Sequence, residues 1–247
     1  MSCATLKKPG AAVVTGAGSG IGRAIALALA ARSIPCCLVG RTIGKLQEVA
    51  ELAGAAGVKC FPVALDLRDP CAGAMLAERL KLLDQPVELL VHSAGVMSSA
   101  RIEEATLEQF ADLLAVNLVA PFSITKHLLD NICATRGQII FINSSILQNP
   151  CAGTAQYAAT KHALKGFADA LRQEVNPKGV RVISVYPGRT ATPLQAWVSQ
   201  VQARPYVPES LLQPEDVAET VVNAIALPDT AEVTDIMIRP AKKHPIA

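Results

Sequence analysis

The chain has 247 residues, of which 51% are hydrophobic and 18% are charged, and its formal net charge is +2. This composition is typical of one globular α/β domain with a buried core, and the near-neutral charge argues against nucleic-acid binding. Seven cysteines are scattered without a Cys-x-x-Cys pair, which indicates reduced thiols inside a cell. The four histidines do not cluster with other ligands, so no metal site is predicted.

The amino-terminal segment lacks the pattern of a secretory signal. Lys7, Lys8 and Pro9 precede only a short apolar run over 11–14. The apolar run 24–31 is too short to span a membrane. We therefore predict a cytoplasmic protein that has no membrane partner and no nucleic-acid partner.

Short apolar segments alternate with longer amphipathic segments along the whole chain. The predicted strands are 11–15, 35–39, 59–64, 89–92, 139–143, 180–185 and 233–238. The predicted helices are 21–32, 44–53, 72–84, 106–131, 155–175 and 215–226. Continuously apolar strands without hairpin signals indicate parallel strands, right-handed crossovers and helices on both sheet faces. We predict one doubly wound Rossmann-type domain over 1–247, with a mostly parallel seven-stranded sheet.

The segment 187–214 interrupts this alternation. It contains five prolines together with Trp197 and Tyr206. A long insertion after a strand's carboxyl end is where such folds place a substrate lid. We predict that role for 187–214, and composition alone fits an ordinary loop with one surface helix equally well.

A glycine-rich turn follows the first predicted strand and leads into the first helix. Glycines allow a sharp turn and a close approach to a pyrophosphate, whose charge is met by the helix amino terminus. The residues of this predicted phosphate site are Gly16, Gly18, Ser19, Gly20, Ile21 and Gly22.

The end of the second strand predicts which nicotinamide cofactor is bound. An acidic residue there would accept a hydrogen bond from the ribose 2′-hydroxyl of NAD, but the chain has Gly40 followed by Arg41. A guanidinium suits a 2′-phosphate, which it can hold with two hydrogen bonds. We therefore predict NADP(H).

A tyrosine and a lysine stand four positions apart in a predicted helix. Tyr157 and Lys161 therefore share one helix face, and an ammonium near a phenol should lower its pKa towards the working pH. Ser144 lies thirteen positions upstream and supplies a hydroxyl for the reacting oxygen. These three side chains predict a proton-transfer site.

The ordered set of motifs resembles the short-chain dehydrogenase/reductase family across essentially the whole chain. The motifs are Thr15 to Gly22, His92-Ser93-Ala94-Gly95, Asn117, Ser144, Tyr157-x-x-x-Lys161 and Pro187-Gly188. The resemblance implies a Rossmann-type fold and interconversion of small alcohols and carbonyl compounds with NAD(H) or NADP(H).

The resemblance also implies a role for each matching residue. Tyr157 is the expected general acid/base, Lys161 lowers its pKa and holds the ribose, and Ser144 orients the substrate oxygen. Asn117 is expected to fix a water in a proton relay. The further residues expected at the cofactor are Asp66 and Leu67 at the adenine, Ala94, Gly95, Pro187, Gly188, Thr190, and Thr192 at the carboxamide.

The chain departs from the family at one motif. The family commonly has Asn-Asn-Ala-Gly where this chain has His92 and Ser93 before the Ala-Gly pair. We interpret the change as one that affects local hydrogen bonding, and His92 as a structural residue.

Two other functions stay open. One is a non-catalytic NADP(H)-binding regulatory protein, although it would not need Asn117, Ser144, Tyr157 and Lys161 together. The other is an enzyme of the same family that catalyses epimerisation, dehydration or enoyl reduction. In the family, the two helices that correspond to 106–131 and 155–175 form the interface between subunits. The resemblance therefore implies a homodimer or homotetramer formed through these helices.

Overall fold

The computed structural model describes residues 10–83 and 86–241, which contain a seven-stranded sheet. The strands are β1 (Ala11–Thr15), β2 (Cys36–Gly40), β3 (Phe61–Ala64), β4 (Val87–His92), β5 (Gln138–Ile142), β6 (Arg181–Pro187) and β7 (Asp235–Ile238). Their order is β3-β2-β1-β4-β5-β6-β7, and every adjacent pair is parallel. The predicted doubly wound α/β fold is confirmed.

Within the described ranges, eight α-helices connect the strands. They are α1 (Gly20–Ala30), α2 (Ile43–Ala55), α3 (Ala72–Leu83), α4 (Leu107–Leu114), α5 (Ala120–Thr135), α6 (Ala155–Val175), α7 (Pro193–Val201) and α8 (Pro214–Ile225). Most lie within a few residues of the prediction. The predicted helix end at 84 falls outside the described residues.

The helices cover both faces of the sheet, and each face has its own apolar core. In β1, Ala12 and Val14 join the core formed with α1, α2 and α8, whereas Val13 joins the core formed with α3, α5 and α6. Because consecutive strand residues point to opposite faces and both faces of the inner strands are buried, most positions in those strands are apolar. This explains the unbroken apolar runs in the sequence.

The strand order reverses between β1 and β4. The chain moves from β1 outward to β2 and β3, then returns to β4 on the other side of β1. Crossovers on the two sides of this point leave opposite faces of the sheet, so a crevice opens at the carboxyl ends of β1 and β4.

Two features differ from the predicted elements. The single helix expected over 106–131 is divided into α4 and α5 by a π-helical segment, Ala115–Val119. The segment 187–214 contains α7, whose amino terminus is capped by Thr192 and begins with Pro193. Proline at the first helical position is favourable, so a proline-rich segment can still start a helix.

The continuous helical run Leu107–Thr135 is long and apolar enough to cross a membrane by length and composition, with 33% of its most apolar window buried. A core helix of a water-soluble protein meets the same criterion. Here Ile124, Leu128 and Ile132 of α5 pack into the core shared with α3 and α6. That packing accounts for the apolar character of one face of the helix.

Candidate active site

The predicted phosphate turn lies at the crevice between β1 and β4. Gly16 and Gly20 have positive φ angles of 68° and 52°, which favour glycine. A Cβ on Gly22 would lie 2.4 Å from the Gly16 carbonyl oxygen, so only glycine allows the turn and α1 to pack this closely.

The amino terminus of α1 is open to an anion. Ser19 is the capping residue, but its side chain makes no capping hydrogen bond, and the first turn contains no acidic residue. The first backbone N–H groups of a helix carry partial positive charge and need acceptors. With the close glycine packing, this arrangement fits the pyrophosphate of a dinucleotide.

A side cavity of about 210 Å³ continues from this turn along the ends of β2 and β3. Its lining includes the predicted residues Gly16, Gly18, Ser19, Arg41, Asp66, Leu67, Ala94 and Gly95. Lys45, in the first turn of α2, also lines it and adds a second cation beside Arg41. Two cations at one end of the cavity fit a phosphate better than a bare hydroxyl.

Asp66 is engaged by a neighbouring arginine. Arg68 donates to both of its carboxylate oxygens, with the shortest contact at 2.6 Å, and this pairing lowers the pKa of Asp66 to about 2. The charged carboxylate therefore stays fixed at the rim of the side cavity. Its expected contact with an adenine ring remains a prediction.

A main cavity of about 440 Å³ lies beside the carboxyl ends of β4, β5 and β6. Ser144, Tyr157 and Lys161 all line it, as do Ile21, Gly95, Pro187, Gly188, Thr190 and Thr192. Ser144 follows β5, whereas Tyr157 and Lys161 lie on one face of α6. The structure thus brings the predicted proton-transfer residues together around one space.

Burial controls the protonation of this site. It raises the pKa of Tyr157 above its usual value, while the contact with the Ser144 hydroxyl acts in the opposite direction. It also lowers the pKa of Lys161 to about 8.

Lys161 lies near the ring of Tyr157, and its expected effect on the tyrosine pKa remains a prediction. The Lys161 Nζ lies 5.8 Å from the Tyr157 ring centroid and donates to the Ile142 carbonyl at 3.1 Å. Burial of Tyr157 by itself favours the neutral phenol over the phenolate.

Asn117 lies in the π-helical segment, between the loop that follows β4 and α6. Its Oδ1 accepts from the Val96 N–H at 2.9 Å, and its Nδ2 donates to the Val96 carbonyl and to Thr160 Oγ1. A Cβ on Gly95 would lie 3.5 Å from Asn117 Oδ1 and 3.8 Å from Lys161 Nζ. The side chain thus fixes the loop after β4 against α6, and its part in a proton relay remains a prediction.

The segment after β6 folds back over the phosphate turn. The methyl group of Thr192 would lie 3.0 Å from a Cβ on Gly20, and its Oγ1 caps α7 by accepting from the Gln195 N–H. Thr190 donates to the Gly188 carbonyl at 2.9 Å. These contacts place Thr192, rather than Thr190, next to the glycine turn.

The departure at His92 and Ser93 has a structural explanation. His92 is buried, its Nε2 lies 2.9 Å from Thr125 Oγ1, and its ring stacks on Phe141 at 5.0 Å between centroids. Burial lowers the pKa of His92 to about 3, so the ring is neutral. The backbone N–H groups of Ser93 and Ala94 both donate to Thr15 Oγ1, which secures the loop without the usual amides.

Four residues of the site escaped the sequence analysis. Lys45 follows Arg41 by one helical turn, which was the available signal for it. Asn143 lines the main cavity and donates to the Lys161 carbonyl, while its Oδ1 is buried without a partner among the described residues. Arg189 and Arg204 also line the main cavity, on either side of α7. Arg204 follows α7, for which the sequence left a lid and a loop with one surface helix equally open, whereas Arg189 lies just after β6.

Within 10–83 and 86–241, no group of three His, Cys, Asp or Glu side chains is arranged to hold a metal ion.

Comparison with known proteins identifies the class. A sequence model of short chain dehydrogenases matches residues 10–203. An uncharacterised short-chain type dehydrogenase/reductase of Sinorhizobium fredii is 32% identical over 235 residues, which cover 93% of this chain and 90% of that protein.

Solved structures agree with the sequence match. An alcohol dehydrogenase of the archaeon Thermococcus sibiricus, in complex with 5-hydroxy-NADP, is 28% identical with a TM-score of 0.86, covering 96% of this chain and 99% of that chain. A metagenomic short-chain oxidoreductase in complex with NADP is 29% identical with a TM-score of 0.83, with the same coverages. Sequence and fold together are those of a family of oxidoreductases. The chain belongs to the short-chain dehydrogenase/reductase family.

Proposed function

We propose that this protein is an NADP(H)-dependent oxidoreductase that interconverts an alcohol and a ketone or aldehyde. The observation that carries the proposal is the convergence of Ser144, Tyr157 and Lys161 on one cavity that adjoins the phosphate turn. The NADP complexes of the related solved proteins support the choice of cofactor.

In the proposed reaction, the cofactor supplies or accepts the hydride when it is bound. Tyr157 donates a proton to the carbonyl oxygen during reduction and removes one from the alcohol during oxidation. Ser144 donates a hydrogen bond to the same oxygen and so orients it towards the tyrosine. Lys161 holds the ribose hydroxyls and favours the phenolate that is left after proton transfer.

Several binding roles complete the proposal. The amino terminus of α1 and its glycine turn hold the pyrophosphate, and Arg41 with Lys45 holds the 2′-phosphate. Asp66 and Leu67 contact the adenine, and Thr192 anchors the carboxamide. Segment 187–214 covers the substrate, within one catalytic domain that spans the chain.

The first experiment tests the cofactor. We expect kcat/KM with NADPH to exceed that with NADH, because two cations lie where the 2′-phosphate would bind. Arg41→Gln should reduce that preference by about tenfold or more, since charge-assisted hydrogen bonds are strong. A clear preference of the wild-type protein for NADH would contradict the assignment.

The second experiment tests the reaction. NADPH consumption is measured with a panel of aldehydes, ketones and quinones. Turnover of any carbonyl compound supports the oxidoreductase, whereas NADPH binding without consumption across the panel would favour a regulatory protein.

We further propose a cytoplasmic homodimer or homotetramer. Exposed apolar side chains on α4, the π-helical segment and α5 support it, with Leu107, Val119 and Phe122 exposed by 87%, 47% and 49%. Phe122 also contacts Phe167 of α6 edge-on, with 5.8 Å between ring centroids, so the two helices share one apolar surface.

A further inference from the structure

The charged lining of the main cavity is entirely cationic. Lys161, Arg189 and Arg204 line it, and no aspartate or glutamate among the described residues does. Lys161 is buried and donates to the Ile142 carbonyl, and the mechanism above already uses it. Arg189 and Arg204 have no role in that mechanism.

The two arginines have no anionic partner in the part of the chain that the structure describes. Both are exposed to solvent, and neither guanidinium makes a side-chain hydrogen bond or an ion pair with a described residue. Being unpaired does not by itself distinguish them. Arg32 pairs with Glu219 and Arg101 with Glu103, but four other arginines are exposed without a side-chain partner among the described residues: Arg41, Arg79, Arg136 and Arg239. What sets Arg189 and Arg204 apart is that they line the same cavity. Two unpaired guanidinium groups at one cavity favour an anion there.

The backbone holds both arginines at the cavity. Arg189 follows β6 after one residue, Gly188, and its carbonyl accepts from the Leu212 N–H at 3.0 Å. Arg204 follows α7, and its N–H donates to the Ser199 carbonyl at 2.9 Å. The amide side chains of Gln195 and Gln202 line the same wall and add neutral donors.

We propose that the substrate is an anionic carbonyl compound, with Arg189 and Arg204 binding its carboxylate while Tyr157 and Ser144 hold its carbonyl oxygen. This inference rests on the proposed function and specifies its substrate class. A guanidinium binds a carboxylate with two parallel hydrogen bonds, so the pair fixes orientation as well as charge. A phosphate would be recognised by the same groups, and so would the cofactor's own pyrophosphate.

The first experiment compares keto acids with their neutral esters. The probes are 2-oxobutanoate, acetoacetate and 4-oxopentanoate, which separate the carbonyl from the carboxylate by increasing lengths, each beside its methyl ester. We expect kcat/KM for at least one acid to exceed that for its ester by about tenfold or more. Equal or better turnover of all three esters, with no acid preferred, would overturn the inference and leave the oxidoreductase intact.

Substitutions then assign the preference to the arginines. Arg189→Gln and Arg204→Gln should each lower the acid-to-ester ratio about tenfold, mainly through the KM of the acid, and Lys at either position should restore part of it. Arg79→Gln, an exposed arginine of α3 that lines none of the cavities described, should leave the ratio unchanged. A raised KM for NADPH with an unchanged ratio would show that the arginines serve the cofactor, and would overturn the inference.

A binding experiment tests the anion site without requiring the enzyme to turn over a substrate. The Tyr157→Phe variant, saturated with NADP⁺, is titrated calorimetrically with 4-oxopentanoate and with its methyl ester. We expect the acid to bind at least about tenfold more tightly, and the added Arg189→Gln change to remove that difference. Acid binding that depends on arginine without any carbonyl turnover would sustain the anion site and refute the oxidoreductase. Equal binding of acid and ester would refute the anion site.

Discussion

Burial acts in one direction on three ionisable side chains at the carboxyl edge of the sheet. It raises the pKa of Tyr157 and lowers the pKa values of Lys161 and His92, which shifts each group towards its neutral form. Lys161, with a pKa of about 8, is still mostly cationic at pH 7. The same burial effect has different consequences, because Tyr157 and Lys161 line the main cavity and His92 does not. A neutral phenol at neutral pH is the form needed to donate a proton during carbonyl reduction.

Replacing Tyr157 by phenylalanine tests the general acid/base role. The ring still packs, but its proton is lost, so we expect kcat to fall by about 100-fold or more. NADPH affinity, measured by fluorescence titration, should change little. A variant that keeps more than about a tenth of the wild-type kcat would contradict the role, since general acid catalysis is worth at least about 100-fold.

His92 should make the folded protein sensitive to mild acid. Its folded pKa of about 3 lies below the unfolded value of 6.5, so below pH 6.5 the unfolded state binds the extra proton. Between pH 6.5 and pH 5 this linkage costs the native state about 2 kcal/mol.

The measurement is urea unfolding of the wild-type protein and His92→Asn at pH 7 and pH 5. We expect the wild-type protein to lose about 2 kcal/mol more than the variant on acidification, because asparagine does not titrate. An equal loss in both proteins would show that the buried imidazole does not control the acid response.

At the scale of elements, the glycine turn depends on close packing between backbone segments. Gly22→Ala would place a Cβ against the Gly16 carbonyl, so the turn and α1 must separate. We expect NADPH affinity to fall by about tenfold or more, as the N–H groups at the helix terminus lose alignment.

Gly54→Ala is the matched control for this change. A Cβ on Gly54 of α2 has no neighbour within 4 Å. That variant should keep its NADPH affinity and gain up to about 1 kcal/mol of stability, because alanine has the better helix propensity. If Gly22→Ala keeps its NADPH affinity as Gly54→Ala does, the turn tolerates a side chain.

The sequence predicted the sheet well for a physical reason. Residues of β1 are buried on both faces, so the sequence pattern needed no knowledge of tertiary contacts. The sequence did not predict the π-helical segment at Asn117, because its residues are mostly apolar like those of the helices on either side. Helix α7 was left open because it is short and lies among prolines. The position of Arg204 at the cavity depends on this helix, whereas Arg189 is held beside β6.

At the scale of the whole molecule, exposed apolar side chains predict self-association. Light scattering coupled to size exclusion should give the mass of a dimer or tetramer, and Phe122→Glu should lower it. Leu82→Glu on α3, where the side chain is 86% exposed, should leave the assembly unchanged. A strictly monomeric wild-type protein would rule out an interface built from α5 and α6.

The two ends of the segment that contains α7 are joined to each other. Thr190 and Leu212 form a bridge, the Leu212 N–H donates to Arg189, and the Ala191 N–H donates to Leu212. The residues between them form a loop closed at its base, which includes Thr192 beside the glycine turn. If the segment covers the substrate as proposed, changes beyond Thr192 would reshape that cover while the contacts at its base stay in place.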